Sequence, residues 1–502
     1  MSLNTDASEG TNSNINININ ININSESDLG LAHPKGMWVL FIMQMLSMMG
    51  FSIVFALLVL YCSNYLHMQD ESSYAVTAAF NALVFVTSMP AGWLVEKYLG
   101  FKKGTFLSII LGVIGLLVMA VPMKSAMLLG LGIFICSNGM SVPCLYVLLG
   151  NLYGKEHPKR EDGFVLAYIG MNVGSFITSL FSGTISETVG FWAAFIVGAV
   201  AIALMFPILI FRHQVFKENR KYSLNENYLG LFFSFLMVCS TVLLTIFSSI
   251  SNGLMLILGF ASLIYVLLVA KQEGGHAKKG LVIFTLLTTV SIIFWTLYSL
   301  APSLLMLFTE RYVDRMVGSY QIPTANLSSL NPFFIVTMGL LLSYVLRKLK
   351  QKKGFAMSTT TKFGLGTVLM GVGYLILALS LFFDPSYIKI SLYWIVLSYF
   401  FQTVGELFVG PIGYAMVGEL VPISRIGMMM GIWQLSTGIA GALSNYLADY
   451  ATPSEATIKL SNKLAEMSYE HAFLIYGAVT VLVGIGIGLS AKKIRTYLAT
   501  EI

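Results

Sequence analysis

One acid stands out in the sequence for its position. Glu406 lies in Gln402-Thr403-Val404-Gly405-Glu406-Leu407, near the middle of an apolar stretch from Ser391 to Val417 that is long enough to cross a bilayer as helix. Holding a carboxylate at that depth costs about 2.5 to 3.5 kcal/mol on insertion scales, so by default such a residue marks a function. A carboxyl that binds and releases a proton there can couple a gradient to transport, or it can receive an amine. The plain alternative is a neutral Glu hydrogen-bonded to nearby backbone. No Lys or Arg is expected at the same depth to pair with it, which leaves the cation to the substrate.

A second constellation is Gly92-Trp93-Leu94-Val95-Glu96-Lys97-Tyr98-Leu99-Gly100-Phe101-Lys102-Lys103, which fits the pattern Gly-x-x-x-Asp/Glu-Arg/Lys-x-x-Gly-x-Arg/Lys. Glu96 at one helix end, Lys97 and Lys103 around the next, and Gly92 and Gly100 for a tight turn make a cytoplasmic gate with two states. The competing reading is an ordinary basic loop. The six histidines (His33, His67, His157, His213, His276, His471) fall in the tail, in loops or at helix ends, so they form no proton relay or metal site within the membrane. Cys62, Cys136, Cys144 and Cys239 show neither metal spacing nor a Cys-x-x-Cys pair. The chain lacks a Gly-x-x-x-x-Gly-Lys loop, which argues against ATP-driven transport. No cofactor, no metal and no enzymatic activity is expected.

The elements that must position these residues follow from composition. Of 502 residues, 11% are charged and 56% are hydrophobic, too few polar groups to cover a water-facing surface, so a soluble enzyme is excluded and membrane lipid is the expected surrounding. The net charge of +6 comes from basic residues in short runs between apolar stretches, which excludes a nucleic-acid surface. Apolar stretches of roughly 20 residues, each a candidate membrane helix, number six between Met37 and Phe211, two between Tyr228 and Ala270, and six between Leu281 and Ser490. The expected fold is an all-α polytopic membrane protein with 14 transmembrane helices. An even count puts both termini on one side, and 24 of the 30 Lys and Arg then fall on that side against six opposite, which makes it the cytoplasm. The expected organisation is a disordered cytoplasmic tail over 1–35, a six-helix bundle over 36–212, a linker with two extra helices over 213–279, and a second bundle over 280–502. The expected location is a bacterial-type inner membrane. Weak correspondence between the halves, Glu96-Lys97 to Gly104 against Arg347-Lys348 to Gly354, fits parallel repeats with a substrate site between them.

With these motifs the chain resembles the proton-dependent oligopeptide transporter family of the major facilitator superfamily, most of all its bacterial dipeptide and tripeptide permeases. The resemblance runs from about Phe41 to Ile485 and rests on Gly150-Asn151-Leu152-Tyr153, Tyr168-Ile169-Gly170-Met171-Asn172-Val173-Gly174, Leu330-Asn331-Pro332-Phe333, Gly405-Glu406-Leu407 and Met430-Gly431 with Trp433. It implies a major facilitator fold and proton-coupled uptake of small peptides by alternating access. It further implies that Glu406 contacts the substrate amine, that Asn172 and Asn331 hydrogen-bond its polar groups, that Trp433 lines the pocket, and that Tyr168 lies nearby. The family's first-helix Glu-x-x-Glu-Arg aligns with Gln44, Ser47 and Met48, its fourth-helix Lys with Val142, its seventh-helix Glu with Ser299, and a second-helix Tyr with Phe85. Gln44 and Ser299 thus stand at pocket positions without the family's charges. Two other readings stay open: an uncoupled facilitator or exchanger of a neutral or cationic amino compound, and a non-transporting substrate receptor.

Overall fold

In hydrocarbon every backbone donor and acceptor must be satisfied within the segment, so long apolar runs wind into helix. The computed structural model describes residues 33–153, 159–216, 218, 220, 222–353, 357–383, 389–422, 425–453 and 462–499; most of the expected tail lies outside them. Six helices come first: α1 Met37–Tyr65, α2 Asp70–Leu99, α3 Phe101–Met119, α4 Lys124–Leu152, α5 Arg160–Thr188 and α6 Phe191–Phe211. The inserted pair is α7 Leu224–Ile246 and α8 Ser248–Gln272. Then follow α9 Gly275–Tyr312, α10 Leu330–Lys353, α11 Thr359–Phe383, α12 Leu392–Leu420, α13 Ile426–Ala451 and α14 Asn462–Ala499. Twelve of them are long and apolar enough to cross a membrane, and α10 and α13 complete the fourteen expected crossings at 24 and 26 residues. An even count returns the chain to the face from which α1 departs; this is the terminal face below, and its opposite is the far face.

Helix ends depart from the hydropathy expectation where charged residues that favour helix extend a span into the interface. The first helix of the second bundle, expected to begin at Leu281, runs from Gly275 to Tyr312 and so carries Glu310 and Arg311 on its last turn. It is interrupted by a turn at Ser299 and Leu300 and a wide helical turn over Ala301–Leu305. Two small ladders decorate the far face: Val313–Asp314 pairs in parallel with Ile390–Ser391, and Met316–Val317 pairs antiparallel with Tyr320–Gln321.

In the first bundle α1 packs on α5 and α6, and α4 packs on α2 and α3. Contact there is close enough that a Cβ on Gly174 of α5 would collide with the Met45 carbonyl of α1, the small-residue packing that membrane helices use in place of a hydrophobic drive. In the second bundle α11 packs on α12 and α14, α9 on α13, and α10 on α12. The bundles meet through α2 against α13 and through α5 against α10 and the turn before it. Of the inserted pair, α7 lies on α2 and α4, whereas α8 touches α2, α9 and α13 and therefore reaches both bundles.

Candidate functional site

Glu406 sits near the midpoint of α12 and is 8% exposed. Its partner arrives by an unexpected route. The segment Thr324–Ser329, a 3-10 turn buried along its whole length, leads the chain inward before α10 starts. Pro332 is tolerated there because the first helical turn has no internal acceptor for its missing N–H. Asn331 is thereby brought against α12, where its Nδ2 donates to Glu406 Oε2 at 2.7 Å and lies 3.2 Å from Thr403 Oγ1. Thr403 is one turn from Glu406 on the same helix face. Among the described residues no ion pair involves Glu406.

Tyr298, the residue just before the turn that interrupts α9, is within electrostatic reach of Glu406, Tyr399 and Tyr168, the last of them on α5 of the first bundle. Trp295 packs edge-on against Tyr298, with centroids 5.2 Å apart, and its Nε1 has no partner among the described residues. Tyr298, Trp295 and Thr403 were not singled out as site residues by sequence reasoning; the available signal was their spacing of three residues from one another or from Glu406.

The other expected site residues divide. Tyr168 of α5 is 39% exposed. Asn172 is buried and its Nδ2 donates to the Tyr168 carbonyl at 2.9 Å, so that donor is engaged within α5. Ser299 is buried at the interruption of α9. Gln44 is 2% exposed, and its Nε2 lacks a partner among the described residues. Trp433 is 3% exposed, wedged between Phe363 of α11 and Gly413 of α12; it sits inside the second bundle, two turns toward the terminal face from the level of Glu406.

At the expected gate, Gly100 adopts φ +83 and ψ 155, a region open essentially to glycine alone. Glu96 and Lys97 are both exposed, and the Lys97 ammonium lies over the rings of Trp93 and Tyr98 at 4.8 and 5.2 Å. The acid that engages the loop is instead Glu218, from the segment entering α7: its Oε1 accepts from Lys102 N at 2.9 Å, where a carboxylate meets the positive end of α3. Tyr222 donates to the Glu96 carbonyl at 2.9 Å, and Lys103 Nζ donates to Asn227 Oδ1 at 2.7 Å. Desolvation and the nearby Glu218 carboxylate push the Tyr222 phenol above its usual range, so it stays a donor. A Cβ on Gly100 would collide with the Glu218 carboxylate. Gly100→Ala is therefore expected to cost about 1–3 kcal/mol, read as a lowered thermal midpoint of the purified protein; an unchanged midpoint would refute the account.

On the far face the bundles are tied directly. Arg311 of α9 grips Asp70 of α2 through two bonds of 2.5 and 2.8 Å, with Ser63 Oγ at 3.3 Å from the same guanidinium. Asn326 Oδ1 accepts from Gly183 N at 2.8 Å and from Thr184 N at 3.2 Å.

Comparison with known proteins agrees with this architecture. The chain is 26% identical to dipeptide and tripeptide permease A of Escherichia coli (strain K12), over 92% of this chain and 93% of the permease. It is 27% identical to the protein of the same name from Klebsiella pneumoniae (strain 342), with the same coverage. Among solved structures, a peptide transporter POT in complex with sulfate superposes with a TM-score of 0.80 at 21% identity, covering 93% of this chain and 96% of that one. A POT family transporter in complex with 5-aminolevulinic acid gives 0.79 at 21% identity, covering 92% and 97%; at such identity these two show the fold, a major facilitator arrangement. The POT family model matches residues 103–464, well over half of the sequence, and the chain belongs to that family.

Proposed function

We propose that this protein is a secondary transporter that takes up di- and tripeptides, or peptide-like amino compounds, together with protons, by alternating access around Glu406. The observation that carries the reading is the Glu406–Asn331 pair at 2.7 Å: a carboxylate at mid-helix, oriented by a neutral carboxamide and left without a cation among the described residues. A substrate ammonium supplies that cation, and a proton replaces it when the site is empty of substrate, so that the acid is not left charged and unpaired in a poorly hydrated interior. Curated relatives carrying the name dipeptide and tripeptide permease, and a solved neighbour holding 5-aminolevulinic acid, support amino compounds as the substrate class. The two bundles rock about this centre; the Gly92–Lys103 loop, with Gly92, Glu96, Lys97, Gly100 and Lys103, serves as the cytoplasmic gate, and both termini lie in the cytoplasm of a bacterial-type cell.

Uptake of labelled dipeptides, tripeptides and free amines into proteoliposomes, with and without an inward proton gradient, tests the reading. Accumulation of peptide that the gradient stimulates is the expected result. Peptide transport that ignores the gradient would replace it by a facilitator, and binding without transport by a receptor.

A further inference from the structure

The inserted helices α7 and α8 are joined at the far face by a single residue, Phe247, between Ile246 and Ser248. Its φ of −98 and ψ of 49 lie outside helical geometry. From that apex two legs of 23 and 25 residues, each roughly 35 Å long at the helical rise, reach the terminal face. The α7 leg is fastened to the first bundle from its entry almost to the apex. At the terminal face Glu218 Oε1 accepts from Lys102 N at 2.9 Å, Tyr222 Oη donates to the Glu96 carbonyl at 2.9 Å, and Asn227 Oδ1 accepts from Lys103 Nζ at 2.7 Å, three bonds to one gate loop. Further along, a Cβ on Gly230 would collide with Leu99 of the same loop, and a Cβ on Gly132 of α4 with the backbone of Val242, the close small-residue contact that holds helices together in lipid.

The α8 leg changes sides. Near the apex Asn252, fully buried, donates Nδ2 to the Ala75 carbonyl of α2 at 3.1 Å, so this end stays with the first bundle. Two turns on, a Cβ on Gly259 would collide with Ile439 of α13. At the terminal face only Glu273 and Gly274 separate α8 from α9, and Glu273 Oε1 accepts from Arg425 Nε, just before α13, at 3.1 Å. A connection of two residues has little reach, so that end travels with the second bundle. The two legs touch each other sparsely, which leaves them free to part.

We propose that the inserted pair is a hinged strap across the terminal face: the α7 leg rides with the first bundle and the terminal end of α8 with the second, so that opening this face spreads the legs about Phe247, and the three bonds to the gate loop limit how far it opens. A hinge needs a few residues at an element's end that absorb a change in φ and ψ. Phe247 meets that description, and the Asn252–Ala75 bond holds the pivot on α2. The strap thus links the gate loop to the second bundle through Glu218 and α8 rather than through the loop's own charges. The inference rests on alternating access as proposed above.

Spin-label distances in nanodiscs test it, on the full chain with Cys239→Ser, since Cys62, Cys136 and Cys144 are buried. One label pair, at Phe106 of α3 and Met428 of α13, reports the separation of the bundles near the terminal face; a second, at Leu231 of α7 and Leu268 of α8, reports the legs. All four side chains are exposed. Arg311→Ala weakens the far-face tie and moves the population toward a closed terminal face without any ligand, and both separations are expected to shorten together in it. Freeing the α7 leg by Glu218→Gln with Tyr222→Phe is expected to shift the ratio of open to closed populations about tenfold toward open, while the leg separation no longer follows the bundles. Legs that keep one separation while the bundles move would overturn the strap, as would native distances in the Glu218→Gln, Tyr222→Phe variant. A bundle separation with a single value in the native protein and in Arg311→Ala alike removes the rocking motion, and the strap with it.

Discussion

Replacing Glu406 by Gln is expected to remove most substrate binding and with it uptake. The substitution is close to isosteric, and the amide can still accept from Asn331, which lies 2.7 Å away in the native protein; folding should therefore survive while the charge is lost. A hydrogen bond to a charged group contributes about 1.5–3 kcal/mol, so losing the ammonium contact should weaken affinity roughly 10- to 100-fold. The same substitution removes the proton-accepting group at the centre, so a pH gradient should no longer stimulate whatever transport remains. Binding measured by thermal shift or calorimetry on the purified protein, beside uptake in proteoliposomes, checks both statements. Native affinity in Glu406→Gln would remove Glu406 from the substrate site. Asn331→Ala, which leaves the carboxylate in place but without its orienting donor, is expected to lie between the two.

Arg311→Ala is expected to slow uptake by about tenfold, through the conformational equilibrium rather than through substrate affinity. Arg311 and Asp70 join the two bundles on the far face through a two-bond grip, and their side chains are 32% and 21% exposed. An exposed single-contact ion pair contributes little, but this one is bidentate, half-buried and shared with Ser63. Removing the guanidinium leaves the Asp70 carboxylate half-buried and unpaired at the interface, a penalty of about 1–3 kcal/mol set against the closed state. Exchanging the charges, Asp70→Arg with Arg311→Asp, should restore a large part of the rate, whereas two independent losses would make the double variant worse than either single one. A double-mutant cycle on uptake rates measures the difference. Additive effects would show that the pair does not hold the face closed.

Much of this protein was legible in residue order. The lipid surroundings, the fourteen helices and the family emerge from apolar run lengths and short motifs, which are local quantities. Glu406 was found the same way, because depth within a helix can be counted along the chain. The gate shows where local reading stops. The acids and bases of the Gly92 to Lys103 loop suggested a device closed by Glu96, but the carboxylate that engages it is Glu218, 116 positions from Lys102, brought there by the chain's path into α7.

By itself, then, the sequence determined the solvent, the helix count and the central acid, since each depends on composition or spacing within one span. The tertiary structure alone decided what surrounds that acid and what joins the bundles. The buried 3-10 turn puts Asn331 against Glu406 across 75 positions of chain, Asn326 of the same turn meets Gly183 of α5 across 143, and Arg311 meets Asp70 across 241. The physical reason is that such pairings depend on which helix faces lie together, and in lipid nearly every face is apolar, so close packing of small residues and a few polar contacts choose the partners.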